Sequence, residues 1–185
     1  MNFVSENKGG HMQEVRKYPY RILHPSMVAI ISTMDLSGTP NACTVAWSMP
    51  VSSNPPLVAI ALQKKHKSTK NIEETKEFVI NIPGKPMLEI AKICGSVSGW
   101  EVNKFQKYHL EEQPSKAIKT PRIAGSIGYM ECTLFAKYDG GDHYIFVGEI
   151  KVAEADERYF KETWNENAEL IFHYGGDKYG KVVKY

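Results

Sequence analysis

The means for covalent cross-linking are nearly missing from this sequence. Its 185 residues include three cysteines, Cys43, Cys94 and Cys132. They are far apart, odd in number and without C-x-x-C spacing, so reduced thiols are expected. His11, His24, His66, His109, His143 and His173 show no zinc-site spacing with those cysteines, and no metal is expected. No apolar run approaches the about 18 residues that a membrane-spanning helix needs. The N-terminal stretch lacks the apolar core of a secretory signal, which favours the cytoplasm. A net charge of +2 gives no bulk electrostatic case for nucleic acid. The chain also has no G-x-S-x-G elbow, no P-loop and no G-x-G-x-x-G dinucleotide fingerprint. Glu73-Glu74 and Glu111-Glu112 read as solvated charges, not as a catalytic pair.

What is present describes an ordinary globule, 42% hydrophobic and 24% charged. The length suits a single domain. Residues 1–12 are polar and patternless, and Gly9-Gly10-His11-Met12 reads like an expression-tag scar, so the domain is placed at 13–185.

The informative stretch runs from Met27 to Asn71. Val28 to Met34 is β-rich, Asp35-Leu36-Ser37-Gly38 supplies turn chemistry, and Asn41 to Met49 resumes an extended pattern. That second strand alternates Asn41, Cys43, Val45, Trp47 and Met49 with Ala42, Thr44, Ala46 and Ser48. A face of small side chains lets a flat group approach the backbone. Leu57 to Leu62 follows as an apolar strand and ends in Gln63-Lys64-Lys65-His66-Lys67-Ser68-Thr69. There Ser68 or Thr69 is expected to cap a surface helix running to Glu77. Cations, hydroxyls and free amide donors at a helix start suit a phosphate. A ring platform beside a phosphate seat points to a mononucleotide-type cofactor. The alternative is a barrel strand that packs closely for its own sake, followed by a solvated basic turn.

Phe78 to Ile82 reads as a strand. Pro86 then opens a helix carrying Met87, Ile90, Ala91 and Cys94 at helical spacing up to Gly95. Ser96 to Thr120 reads as a long loop, of the kind usually tied to function or an interface. Ser126 to Tyr138 and His143 to Ala153 form a hairpin around Asp139-Gly140-Gly141-Asp142. Tyr159 to Asn167 reads as a short helix. Strands outnumber helices, which implies a mainly β barrel with a few peripheral helices.

The order of these features resembles the flavin reductase-like family of FMN-binding split-barrel proteins. The resemblance rests on Asp35-x-x-Gly38-x-Pro40-Asn41-Ala42, Thr44 to Ser48, and Val51-Ser52-x-Asn54-Pro55-Pro56-Leu57-Val58. It continues through Glu77 to Ile82, Ser98-Gly99-x-x-x-Asn103-Lys104-Phe105 and Gly141-Asp142-His143, within the branch of ferric reductase-like proteins and flavoredoxins. It implies a Greek-key split β-barrel, a homodimer, and FMN as cofactor.

By position, the resemblance implies that Ala46, Trp47, Ser48 and Met49 line the flavin ring. Lys64, Lys65, His66, Ser68 and Thr69 would hold the phosphate. His143 would orient a nicotinamide or hydrogen-bond the ring. Trp100 and Lys104 would lie in a loop over the cofactor. Cys43 reads either as a residue tuning the ring or as a small strand residue, and Cys94 and Cys132 as core. NADH or NADPH would act as a transient co-substrate, with free flavin, a ferric chelate or a similar small molecule as acceptor. The same features fit a flavoredoxin-like carrier reduced by a redox protein, or a non-catalytic FMN-binding protein.

Overall fold

The computed structural model describes residues 10–183. The tail expected over 1–12 lies mostly outside the described residues, and 10–12 carry no regular secondary structure. After a 3-10 turn at Pro19–Leu23, the strands are β1 (Ser26–Met27), β2 (Ala29–Met34), β3 (Pro40–Val45), β4 (Ser48–Ser53) and β5 (Pro56–Gln63). Then come α1 (Lys67–Thr75), β6 (Glu77–Ile82), α2 (Leu88–Ser96) and α3 (Lys104–Lys107). The chain closes with β7 (Glu112–Gln113), β8 (Arg122–Ile123), β9 (Gly128–Gly140), β10 (His143–Ala155), β11 (Phe172–Gly175) and β12 (Lys178–Gly180).

Seven strands form one antiparallel sheet in the order β3-β2-β6-β9-β10-β5-β4, and β1, β11 and β12 form a smaller one. The order explains the closure. β3 and β4 are consecutive in the chain yet occupy opposite ends of the sheet, so the sheet must curl until those ends meet. One buried core confirms it: Cys43 and Val45 of β3 share a cluster with Val58, Ile60 and Leu62 of β5, with Phe78, Ile80 and Phe146 between them. Each such side chain contributes about 1.5–3 kcal/mol on full burial, and closure buries them in a single interior. Gly148 permits the tightest approach in this core, because a Cβ there would lie 2.4 Å from the Phe78 ring. A second core, with Val28, Ile30, Ala42, Ala91, Cys94 and Phe105, packs α2 and α3 against the outside of β2 and β3.

Several expectations change. The single strand expected over Asn41 to Met49 is two strands, broken at Ala46-Trp47, where the chain crosses from one end of the sheet to the other. The small face is not an open platform along its length. Ala42 is fully buried beneath the helices, and the Thr44 hydroxyl donates to the Ala91 carbonyl of α2 at 2.5 Å. Close packing by a helix accounts for Ala42 and Thr44, while Thr44, Ala46 and Ser48 reach open clefts. The loop expected over Ser96 to Thr120 contains α3 and β7. The helix expected over Tyr159 to Asn167 is a turn closed by a Phe160–Trp164 bridge, followed by a 3-10 turn at Glu166–Ala168. Among the described residues, no helix is long and apolar enough to cross a membrane.

Candidate functional site

The start of α1 forms one wall of the main cleft. No side chain caps this nine-residue helix, and His66 occupies its N-cap position in extended conformation. Ser68 and Thr69, expected as caps, lie in the first turn instead and are buried. The Thr69 hydroxyl donates to the Gln63 carbonyl at 2.7 Å, which closes the turn from β5 into α1. The Ser68 oxygen accepts from Asn41 Nδ2 at 2.8 Å, leaving the Ser68 hydroxyl hydrogen available to a ligand. The opening N–H groups of a helix have no intrahelical partners and carry the positive end of its dipole.

Facing this helix start is the segment from Cys94 to Trp100. Together they enclose a cleft of about 620 Å³ lined by Asn41, Cys43, Thr44, Lys65, His66, Lys67, Ser68, Trp100 and Lys104 among others. Trp100 closes one side, with Nε1 donating to the Lys65 carbonyl at 2.9 Å. Burial, helped by the nearby Lys104, His143 and Lys65, pushes the His66 imidazole below its ordinary pKa, so the ring is neutral near pH 7. Its buried Nδ1 has no hydrogen-bond partner among the described residues.

Lys104 does not lie over the cleft as expected but forms part of its floor. It is 2% exposed, and Nζ donates to the Ala42 carbonyl (2.7 Å) and the Cys94 carbonyl (2.8 Å). It thereby ties β3 to the last turn of α2. Burial pulls its pKa down, against the two neighbouring thiols, Cys43 and Cys94. Burial pushes both thiols up, Cys94 to about 11, so neither is a thiolate at neutral pH.

The structure divides the remaining candidates. Lys64 is outside the cleft, paired with Asp139 of the β9–β10 hairpin at 2.6 Å. Ala46, Trp47, Ser48 and Met49 line a separate, mostly apolar groove of about 370 Å³ with Tyr20, Leu23, His24 and Ile145. His143 stacks on Trp47 with ring centroids 4.9 Å apart, and its Nδ1 lies 2.6 Å from Asp142 Oδ1. The imidazole in turn holds the Asp142 carboxyl below the ordinary range. Cys132 is buried in the barrel core, its pKa pushed up to about 12 by burial. Sequence reasoning missed Asn41, Lys67 and Gly95 to Gly99 as cleft residues. The Asp35 turn gives one clue, since Asp35 receives the Ser37 and Thr39 backbone N–H groups and faces Lys67 Nζ at 3.5 Å.

This donor set fits a phosphate-bearing ligand. An uncapped helix start, a serine hydroxyl and the ammonium groups of Lys65 and Lys67 all adjoin one cleft. The flavin reductase-like domain model matches residues 20–180. The chain belongs to the flavin reductase-like family. It is 27% identical over 155 residues to a flavin reductase of Pseudomonas putida, covering 83% of this chain and 82% of that protein. A flavoredoxin structure from Methanosarcina acetivorans superposes with a TM-score of 0.83 at 25% identity, covering 94% of each chain. An FMN-binding protein of Thermus thermophilus shares the fold, with a TM-score of 0.82 at 20% identity over 94% of this chain and 95% of that one. The architecture is accordingly the split barrel of this family. The chain spans 66% of the length of a relative from Methanothermobacter thermautotrophicus (33% identical, 73% of this chain). It spans 63% of one from Archaeoglobus fulgidus (34% identical, 60% of this chain).

Proposed function

We propose that this chain binds FMN and passes electrons from NADH or NADPH to a small acceptor such as free flavin or a ferric chelate, acting as a homodimer. The observation that carries the reading is the cleft at the start of α1, whose donors match a phosphate. Membership of the flavin reductase-like family supports it. Lys65, Lys67, Ser68 and the first N–H groups of α1 would hold the phosphate, with His66 at the N-cap position beside them. Bound FMN would supply the hydride-accepting and electron-donating chemistry, while the protein supplies position and electrostatics. Ala46 follows Thr44 of the cleft wall by two residues at the crossing between β3 and β4, and the Trp47 ring lies against His143. His143, kept in place by Trp47 and Asp142, would orient the donor or hydrogen-bond the ring.

The first test is the visible absorption spectrum of the purified protein, followed by anaerobic addition of NADH and NADPH. Flavin bands that bleach are expected, and the nucleotide that bleaches them is the donor. A protein without flavin bands that also fails to take up added FMN would defeat the reading. The flavoredoxin likeness favours one second reading, a carrier reduced by a redox protein. Bands that persist with both nucleotides but bleach with a reduced redox protein would select it.

A further inference from the structure

β3 gives the main cleft a direction. Near its start, Asn41 Nδ2 donates to Ser68 at 2.8 Å. Asn41 also lies against Gly99, where an added Cβ would come 2.2 Å from its Oδ1. Three residues on, Thr44 lies against Gly95, where an added Cβ would come 3.4 Å from the Thr44 Cβ. At a strand's rise these two points are about 10 Å apart. The Thr44 end is open, because Thr44, Gly95 and Ser96 also line an adjoining cleft that includes Ala46 and His173. The Asn41 end holds the start of α1. There the N–H groups of Thr69 and Lys70 already donate to the His66 carbonyl, at 3.1 and 3.4 Å, which leaves those of Lys67 and Ser68 to a ligand.

Trp100 crosses that end. It follows Gly99 directly, and its backbone N–H donates to Ser98 Oγ at 3.3 Å. Its indole Nε1 donates to the Lys65 carbonyl at 2.9 Å. Lys70 Nζ lies 5.7 Å from its ring centroid, within cation–π reach. Lys65 precedes α1 and Lys70 belongs to it, so the indole lies along the outside of the helix start. Asn41 and Ser68 are 3% and 0% exposed, whereas Trp100 is 55% exposed. The phosphate-binding groups are therefore inside, and the indole is at the rim.

We propose that Trp100 is a strap across the phosphate end of the cleft, and that it sets the preference for a flavin monophosphate over a flavin adenine dinucleotide. The inference rests on the proposed FMN reading and names the residue that decides which flavin nucleotide the cleft takes. A monophosphate ends beside Ser68. A diphosphate must continue past Ser68 toward the rim, where it meets the indole. Admitting it breaks the bond from Trp100 to the Lys65 carbonyl. Charge does not separate the two ligands. Near pH 8 a phosphate monoester carries close to two negative charges, as a diphosphate diester does, so the choice falls to the ring.

The test is calorimetric titration of the full chain, stripped of flavin, with FMN and with FAD at pH 8. The wild type should prefer FMN by roughly tenfold, the scale of one lost hydrogen bond. Trp100→Ala should narrow that preference by tightening FAD. Trp100→Phe keeps a ring and loses only the N–H, and it should change the ratio in the same direction. It decides the matter if Trp100→Ala loses its far-ultraviolet spectrum. A ratio unchanged in the folded variant overturns the proposal. So does a ratio that narrows only because FMN weakens, since the indole would then hold the one phosphate instead of excluding a second. Failure of the FMN reading is distinct. A wild type that takes up neither nucleotide defeats that reading and this proposal with it, whereas one that takes up FMN and FAD alike defeats the proposal alone.

Discussion

Gly99 lies so close to Asn41 that a Cβ on it would fall 2.2 Å from Asn41 Oδ1. Asn41 is the residue that orients Ser68. The two contacts link the loop after α2 to the start of α1 through one buried amide. Gly99→Ala is therefore expected to displace Asn41 and free Ser68 to rotate. FMN affinity should fall about tenfold, the cost of roughly one well-made hydrogen bond, as read by quenching of flavin fluorescence on titration. Unchanged affinity would mean that Ser68 needs no such orientation. At this scale the sequence was half legible. Lys65, His66 and Ser68 stood out because cations and hydroxyls gathered at a helix start suit a phosphate. Asn41 did not, because an asparagine at the head of a strand gives no sign of a partner 27 residues away.

The segment between α3 and β9 reads as structureless because its order comes from outside it. Glu131 of β9 is fully buried and accepts from the backbone N–H groups of Lys116 (2.8 Å) and Ala117 (2.7 Å). Arg122 Nε adds a third bond at 2.7 Å. Burial alone would raise the Glu131 pKa, but these donors outweigh it and hold the carboxyl below its ordinary value. A carboxyl lowered by folding stabilises the protein above its unfolded pKa. That contribution is lost as pH falls through the lower folded value. Urea unfolding at pH 7 and below pH 4 should therefore show acid destabilisation. Glu131→Gln should cost about 1–3 kcal/mol at pH 7, since it removes the buried one of the two carboxylates on Arg122 and leaves Glu154 as the other, and should flatten that pH dependence. Equal slopes in the two proteins would place the acid sensitivity elsewhere. The pinning also has a consequence at the site, because this segment follows α3, and α3 carries Lys104 into the cleft floor.

For the whole molecule, closure of the barrel leaves an apolar groove outside. Trp47 and Met49 stay 40% and 60% exposed there, alongside Tyr20, Leu23 and Ile145. The proposed homodimer would cover such a groove, since exposed apolar patches mark association sites. Sedimentation equilibrium is expected to give twice the chain mass of 20.9 kDa, and Met49→Glu is expected to give the monomer. A Met49→Glu protein that stays dimeric would move the interface off this groove.

By itself the sequence determined the main strands of the barrel, the helices after β5 and β6 and the residue types of the turn from Gln63 to Thr69. Alternation along a strand, proline and glycine at turns, and a polar helix start are local constraints written in neighbouring residues. Only the tertiary structure decided that β3 and β4 end up on opposite ends of one sheet, so that the small-residue strand breaks at Ala46-Trp47. It also decided that Lys104 goes beneath the cleft while Lys64 pairs with Asp139, and that His173 comes beside Thr44 and Gly95. Each of those outcomes depends on which distant backbone carbonyl or side chain can satisfy a buried donor or acceptor. That choice is made by closure of the barrel and not by sequence neighbours.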